Sequence, residues 1–143
     1  MLISTKGRYA LRLLVDLAEH QGDGLVPLKE IAERQEISEK YLEGILKMLV
    51  KNRVLVGTRG KGGGYRLSQP PERITVRQIL EYVGEDIHPV ACLGEGAAAC
   101  TRMTACRTLP MWQELDALLC QFFSGKTLAD LMRRAPDGND YVI

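Results

Sequence analysis

The stretch that decides the fold is residues 37–67, which read ISEKYLEGILKMLVKNRVLVGTRGKGGGYRL. In its first half, apolar residues recur at the i, i+3, i+4 and i+7 spacing of a helix with one buried face. These residues are Leu42, Ile45, Leu46 and Leu49. Ser38 stands just before this run and is a natural N-cap, because its hydroxyl accepts from the unpaired N–H groups of a first turn.

The second half of the stretch changes period and predicts a β-hairpin. Residues 54–56 and 65–67 are short apolar runs, and residues 58–64 between them form a glycine-dense turn that carries Arg59 and Lys61. Glycine lets the backbone adopt positive φ and approach another surface closely. A hairpin of this kind directly after a helix is typical of a β-wing.

Upstream of this stretch, the sequence predicts two further helices. The first runs from Ser4 or Thr5 to about His20, with its apolar residues on one side. The second is short, residues 28–34, with Pro27 at its first turn. Two short helices separated by a few residues, the second opened by a serine, form the helix-turn-helix pattern.

Downstream of the hairpin, the sequence predicts a helix, a long loop and a second, longer helix. Thr75 and Gln78 fit a capping box that opens a helix ending near Gly84. Residues 85–109 show little periodicity, and a loop of this length is usually functional or disordered. The helix that begins at Pro110 carries many large apolar residues: Trp112, Leu115, Leu118, Leu119, Phe122 and Phe123. A small core cannot cover all of them, so we expect a helix–helix dimer seam.

Composition describes an ordinary globular domain. The chain has 143 residues, of which 45% are hydrophobic and 26% are charged, enough for one domain with a real core. No run approaches the roughly 18 apolar residues of a membrane-spanning helix, and residues 1–8 lack the layout of a secretion signal. We therefore expect a cytoplasmic protein without a membrane partner.

Charge is distributed unevenly along the chain. The net charge is +1 at pH 7, yet residues 40–77 hold nine Lys and Arg against two Glu. A local basic block on a nearly neutral protein favours a polyanion-binding face, and a solvated charged surface is the alternative.

The chain has four cysteines, Cys92, Cys100, Cys106 and Cys120. They are not expected to form a disulfide framework in the cytosol. The first three have the spacing C-x7-C-x5-C within the long loop, where thiolates can converge on one soft metal centre. Spacing alone does not distinguish iron–sulfur from zinc. Cys120 lies in an apolar helical run, which favours a packed helix residue.

The sequence does not predict an enzyme. His20 and His88 are its two histidines and offer few general bases. The glycine run at residues 60–64 lies between strands and lacks the G-x-x-x-x-G-K-[ST] pattern of a phosphate-binding loop. No paired carboxylates or Ser/His/Asp order suggest hydrolysis, so we expect no catalytic residues and no small-molecule substrate.

Three segments carry a resemblance to a known family. STKGRYA at residues 4–10, ISEKYLE at 37–43 and RGKGGGYRL at 59–67 are similar to the winged-helix regulators that include the iron–sulfur regulator IscR, the nitric-oxide sensor NsrR and the cysteine-metabolism repressor CymR. The resemblance covers residues 1–134. It implies a homodimeric bacterial transcription regulator whose cysteine loop holds an iron–sulfur cluster, 2Fe–2S by similarity to IscR.

The chain departs from this family in the fourth cluster ligand. Members resembling IscR have a histidine shortly after the third cysteine, where this sequence has Leu109, and members resembling NsrR can use an acidic residue where it has Arg8. The fourth ligand therefore stays open between an external thiol or water and three candidates in the chain, which are His88, Glu95 and Cys120.

Predicted DNA contacts begin at the recognition helix, whose N-terminal end reads base edges in the major groove. The residues there are Ser38, Glu39, Lys40, Tyr41 and Glu43. Glu43 fits either acceptance from a cytosine amine or a helix-surface ion pair with Lys47.

Further predicted contacts lie on the wing and at the start of the first helix. Arg59 at the wing tip, beside Gly60, suits a narrow minor groove of negative potential. Four other basic residues are expected to contact phosphates and position the protein: Lys6, Arg8, Lys51 and Lys61.

The predicted fold class is mainly α with a small β-wing. Residues 1–84 form a winged helix-turn-helix DNA-binding domain, 85–109 a cysteine-rich cluster-binding loop, 110–134 a dimerisation helix with a short terminal helix, and 135–143 a flexible tail. The main interpretation is IscR-like control of iron–sulfur biogenesis genes through operator DNA. The alternatives are an NsrR-like nitric-oxide or redox sensor and a CymR-like repressor without a cluster, controlled by thiols or a partner.

Overall fold

The computed structural model describes residues 2–132, so the predicted tail and the last two residues of the predicted dimerisation element lie outside the described residues. The helices are α1 (Thr5–His20), α2 (Leu28–Gln35), α3 (Glu39–Lys51), α4 (Val76–Tyr82), α5 (Leu109–Gly125) and α6 (Leu128–Met132). The strands are β1 (Leu55–Thr58) and β2 (Gly64–Leu67). The fold is mainly helical with a small two-stranded wing, as the sequence predicts.

Side-chain caps begin three of the helices at the predicted residues. The Ser4 hydroxyl accepts from the Gly7 N–H, and the Ser38 hydroxyl accepts from the Tyr41 N–H. Thr75 and Gln78 form the predicted capping box, each side chain accepting from the other residue's backbone N–H. Because a cap pairs N–H groups that the helix leaves unpaired, these local patterns fix where the helices start.

Both wing strands extend further toward the tip than the sequence predicts, since β1 ends two residues later and β2 begins one residue earlier. The antiparallel register runs from Leu55 opposite Leu67 to Thr58 opposite Gly64, so the turn holds five residues. Val26, just before α2, exchanges two backbone hydrogen bonds with Tyr65, of 2.8 and 2.9 Å. A Cβ at Gly64 would lie 2.5 Å from the Val26 carbonyl oxygen, so this close approach requires glycine.

The main core lies between α1, α2, α3 and the base of the wing. It includes Leu13, Leu17, Ile31, Leu42 and Leu49, all fully buried. The predicted apolar faces of α1 and α3 are therefore correct. α6 returns to this body, because Leu128 N–H donates to the Ile74 carbonyl at 2.8 Å and the Leu128 side chain is buried.

Helix α5 lies against α4 but buries none of its residues fully. On one side, Phe123 and Cys120 pack against a small apolar cluster formed by Val76, Leu80 and Ile87. The opposite side exposes a stripe of large apolar residues at spacings of four, three and four: Met111, Leu115, Leu118 and Phe122. Within residues 2–132, no helix is long and apolar enough to cross a membrane.

Candidate nucleic-acid interface and cysteine loop

The N-terminal end of α3 presents an exposed polar surface. Ser38, held as the N-cap, and the four other predicted contacts are all solvent-exposed, namely Glu39, Lys40, Tyr41 and Glu43. Their neighbours on the opposite helix face, including Leu42, are buried in the main core. The helix is therefore anchored by one side and open to a partner on the other.

Tyr41 also packs against α1, a contact that the sequence analysis does not predict. Its ring meets the ring of Tyr9 edge-on, with centroids 5.5 Å apart, and the Arg12 guanidinium lies 5.2 Å from the centre of the Tyr9 ring. Aromatic pairs of this geometry stabilise a contact beyond the area they bury. Tyr41 therefore joins the start of α3 to α1 while 41% of its surface stays exposed.

A groove between α3 and the wing carries three cations. Lys47 and Lys51 line its helical wall, and Arg59 lines its wing wall. The ion pairs among residues 2–132 all involve other groups, so none joins Glu43 to Lys47 there. Lys47 is thus available to a ligand. The sequence analysis gives the Glu43–Lys47 ion pair as one of two interpretations of Glu43 and does not include Lys47 among the predicted DNA contacts.

The wing tip projects from the body with both of its cations exposed. Arg59 and Lys61 flank Gly60, whose φ of +94° is a conformation that L side chains rarely adopt. The Gly63 N–H donates to the Gly60 carbonyl at 2.9 Å and closes the turn. The tip therefore holds two positive charges on a short, tightly turned backbone.

Glu85, at the beginning of the cysteine loop, accepts hydrogen bonds from the start of α1. The Glu85 carboxylate accepts from the Gly7 N–H at 3.1 Å and from the Ser4 N–H and hydroxyl. Burial disfavours its charged form, but these hydrogen bonds and the charge of Lys6 outweigh that and lower the pKa of Glu85. Lys6 is half-buried beside this carboxylate, whereas Arg8 is exposed and donates to the Thr5 hydroxyl at 3.1 Å.

A buried carboxylate braces the helix-turn-helix from inside. Asp16 on α1 is 2% exposed and accepts from the Arg34 guanidinium at 2.7 Å and from the Gln35 amide at 2.9 Å. Burial alone would raise the pKa of Asp16, yet the hydrogen bonds from Arg34 and Gln35 and the charges of Arg34 and His20 lower it. This network fixes the end of α2 against α1 just before the turn into α3.

The three loop cysteines are free and lie close to the surface. Cys92 and Cys106 are half-buried, and Cys100 is exposed. Hydrogen bonds from the Thr108 hydroxyl and from the Thr108 and Leu109 backbone lower the pKa of the Cys106 thiol, with a contribution from the charge of Arg102. Hydrogen-bonded thiolates of this kind are the form that binds soft metals.

Metal-ligand side chains gather at a different place from the three loop cysteines. In the described part of the chain, the one group of three such ligands within mutual reach is His88, Asp116 and Cys120, whose ligand atoms all lie within 4.8 Å of one another. His88 and Cys120 were candidates for the fourth cluster ligand, and Asp116 was not identified from the sequence. Glu95, the third candidate, is exposed in the loop.

The donor set of the loop fits an iron–sulfur cluster in its chemistry. Three free thiols occur within fifteen residues of chain, whose regular structure is limited to two 3₁₀ turns, Ala91–Leu93 and Met103–Ala105. Gly96 adopts a φ of +71°, and small residues surround Cys100, so the backbone is free to fold around a bulky group. Thiolates are the usual ligands of such clusters.

This fold and its exposed basic surface define a class of protein, the winged helix-turn-helix transcription regulators. Within that class, the chain belongs to the Rrf2 family, described as iron-dependent transcriptional regulators, whose family profile matches residues 3–134. The chain is 38% identical over 132 residues to the HTH-type transcriptional regulator IscR of Aliivibrio salmonicida, covering 92% of this chain and 77% of that protein. It is 37% identical over 132 residues to IscR of Sodalis glossinidius, covering 92% and 79%.

Two solved structures share the fold over nearly the whole chain. CymR of B. subtilis, described as the global cysteine regulator, has a TM-score of 0.74 at 32% identity, and the match covers 92% of this chain and 96% of the CymR chain. IscR of T. potens has a TM-score of 0.73 at 31% identity, with coverage of 99% and 97%. The protein is therefore an IscR-like transcriptional regulator of the Rrf2 family.

Proposed function

We propose that this protein is a homodimer that binds operator DNA through α3 and the wing, and that an iron–sulfur cluster held by its cysteine loop modulates this binding. Residues 1–84 read DNA, residues 85–109 hold the cluster and residues 110–134 dimerise. The observation that carries the proposal is the combination of an anchored, outward-facing α3 with three free thiols in one loop.

The DNA-reading part of the proposal rests on the exposed surface of α3 and the wing. The N-terminal end of α3 enters the major groove and brings Lys40 and Glu43 to base edges. Arg59 at the wing tip reaches toward the adjacent minor groove. Lys47 and Lys51, which line the groove between helix and wing, approach the phosphates that separate these two contacts.

The cluster part of the proposal assigns Cys92, Cys100 and Cys106 as protein ligands, with 2Fe–2S as the cluster type. When bound, such a cluster supplies a redox-active and chemically labile iron centre. Hydrogen bonds from the Thr108 hydroxyl and from the Thr108 and Leu109 backbone favour the charged form of the Cys106 sulfur by lowering the pKa of its thiol. The relatives named IscR support this assignment.

The link between the cluster loop and the DNA-reading surface runs through Glu85 in this proposal. Glu85 is the first residue of the loop and caps the start of α1, next to Lys6 and Arg8. A cluster that orders the loop favours one arrangement of the Glu85 contact and of α5. It thereby shifts the population of dimers toward those whose two DNA-binding domains, here called heads, are spaced to fit an operator.

A second candidate function is a regulator without a cluster, controlled by thiols or a partner. The specific observation that favours it is the structural similarity to CymR over 92% of this chain. Three cysteines within one loop favour the cluster, so this candidate stays second.

The deciding experiment purifies the protein without oxygen, records its visible absorption spectrum, and counts iron and sulfide per chain. We expect a brown protein with equal iron and sulfide. The triple variant with Cys92→Ala, Cys100→Ala and Cys106→Ala should be colourless but folded. Met103→Ala, a change at an exposed residue of the same loop, is the matched control and should stay brown.

Both proteins then select duplexes from a random DNA library, and their affinities for the selected sequences are compared. We expect the triple variant to differ in operator preference. A protein that stays colourless after reconstitution supports the cluster-free candidate. Equal affinity of both proteins for every selected duplex contradicts modulation by the cluster.

A further inference from the structure

We propose that His88, Asp116 and Cys120 form a second metal site, separate from the cysteine loop, that binds a single divalent ion of the zinc type. The site does not depend on the cluster, and it joins the start of the long loop to the middle of α5.

The site is formed by one turn of α5 and one loop residue. Asp116 and Cys120 are four residues apart on α5, so they lie on the same face of the helix. His88 reaches this face from the loop, and its Nδ1 lies 2.6 Å from Asp116 Oδ1. Asp86 Oδ1 accepts from the His88 N–H at 2.9 Å and holds the histidine backbone in place.

The distances suit a tetrahedral ion after small movements. Bonds of about 2.0–2.3 Å from zinc to N, O and S place neighbouring ligand atoms roughly 3.3–3.7 Å apart. The three ligand atoms already lie within 4.8 Å of one another. Side-chain movements of about 1 Å therefore bring all three atoms to an ion, which replaces the hydrogen bond between His88 and Asp116.

The donor set and its surroundings favour zinc over harder ions. An imidazole nitrogen, a carboxylate oxygen and a thiolate sulfur suit a borderline-soft divalent metal, whereas Ca²⁺ and Mg²⁺ prefer oxygen ligands alone. All three residues are half-buried, so solvent supplies the fourth ligand. On binding, the Cys120 thiol releases its proton to solvent and the sulfur donates to the ion.

Arg77 stands beside the site without filling it. Its guanidinium donates to Glu81 at 2.8 Å and to Ser124 at 3.4 Å. The hydrogen bond and the charge of Glu81 raise the pKa of Arg77, with smaller contributions from the charges of Cys120 and Asp116. The charge of Arg77 repels a bound ion, and its ion pair with Glu81 offsets part of that repulsion.

We expect a bound ion to restrain both ends of the cysteine loop. Residue 88 lies near the start of the loop, and residues 116 and 120 lie about two and three turns into the helix that follows it. An ion held by all three fixes both ends of the segment that contains Cys92, Cys100 and Cys106. Occupancy of the site should therefore reduce cleavage of this loop in limited proteolysis.

The test uses the full chain without an affinity tag and carries Cys92→Ala, Cys100→Ala and Cys106→Ala, so that no cluster forms. We titrate this parent with Zn²⁺ under reducing conditions and measure bound zinc per chain, and then with Co²⁺, whose visible bands report tetrahedral geometry. We expect one zinc per chain and a thiolate-to-cobalt charge-transfer band.

Adding His88→Ala or Cys120→Ala to the parent should weaken zinc binding at least about tenfold, since each removes a ligand. Cys120→Ala should also abolish the charge-transfer band. Glu114→Gln, an exposed carboxylate on the same helix, is the matched control and should bind as the parent does. Circular dichroism confirms that each variant is folded, and the two ligand variants give independent readings if one of them is not.

Two results would overturn the proposal. One is a parent that binds no stoichiometric zinc, which means that these residues bind metal only together with the loop cysteines, or not at all. The other is unchanged zinc affinity in both His88→Ala and Cys120→Ala. Neither result bears on the cluster, because the visible spectrum of the unmodified protein decides that separately.

Discussion

At the scale of single residues, the contact between Gly7 and Glu85 makes the sharpest prediction. A Cβ at Gly7 would lie 2.8 Å from Glu85 Oε1, so Gly7→Ala displaces the carboxylate that caps α1. The lost cap costs about 1 kcal/mol, while alanine in place of glycine gains roughly 0.5–1 kcal/mol in a helix. We therefore expect Gly7→Ala alone to change the free energy of unfolding little.

The same substitution should stabilise a protein that lacks the carboxylate. In a Glu85→Ala background the clash is gone and only the helical gain remains, so we expect Gly7→Ala to add roughly 0.5–1 kcal/mol there. Urea denaturation of the four proteins measures this coupling. Additive effects of the two substitutions would show that the carboxylate does not cap the helix.

The two carboxylates with lowered pKa values predict a loss of stability in acid. Glu85 ionises below its ordinary value of 4.5 and Asp16 below 3.8. Their contribution is therefore complete above these values and is lost as pH falls through the folded-state pKa of each group. Urea midpoints from pH 7 to pH 3 should decline below about pH 4.5, and the curve of Glu85→Gln should converge on that of the unmodified protein. Parallel curves would contradict this assignment.

At the scale of elements, the groove between α3 and the wing predicts a role for Lys47. Lys47→Ala should weaken binding to selected and random duplexes alike, because a phosphate contact carries no sequence information. The slope of log affinity against log salt should fall by about one. Fluorescence anisotropy at several salt concentrations measures both quantities.

A matched cation outside the groove separates this effect from net charge. Arg73 is exposed in the 3₁₀ turn Pro71–Arg73, which packs against α6. Arg73→Ala removes the same charge and should leave the salt slope unchanged. Equal losses in the two variants would mean that Lys47 acts only through the overall field of the protein.

The elements also separate what the sequence predicts from what it does not. Caps at Ser4, Ser38 and Thr75 depend on residues three positions away, so the printed sequence contains the whole signal. The contact of Glu85 with Gly7 spans 78 residues, and that of His88 with Asp116 spans 28. Such pairs depend on the path of an irregular loop. The sequence does not predict that path, because the loop lacks the periodic pattern of a helix or a strand.

At the scale of the whole molecule, α5 shows why we expect a dimer. Its inner face packs through Phe123 and Cys120 on the chain's own apolar cluster. Its outer face leaves Leu118 and Phe122 each 58% exposed, beside Met111 at 53%. A stripe at heptad-like spacing buries itself best against another helix, and a two-fold axis lets the same stripe serve both partners.

Placing a charge in this stripe should separate the partners. Leu118→Glu in two facing stripes brings like charges into an apolar seam, so we expect a monomer by light scattering at micromolar concentration. Val56→Glu, a matched change at a wing residue that is 41% exposed, should keep the mass of the unmodified protein. Because two linked heads bind a two-part site far more tightly than one, the monomer should also lose at least about tenfold in affinity for selected operators. A Leu118→Glu protein that keeps the dimer mass would place the seam elsewhere, whereas one that is monomeric with full operator affinity would show that a single head suffices for recognition.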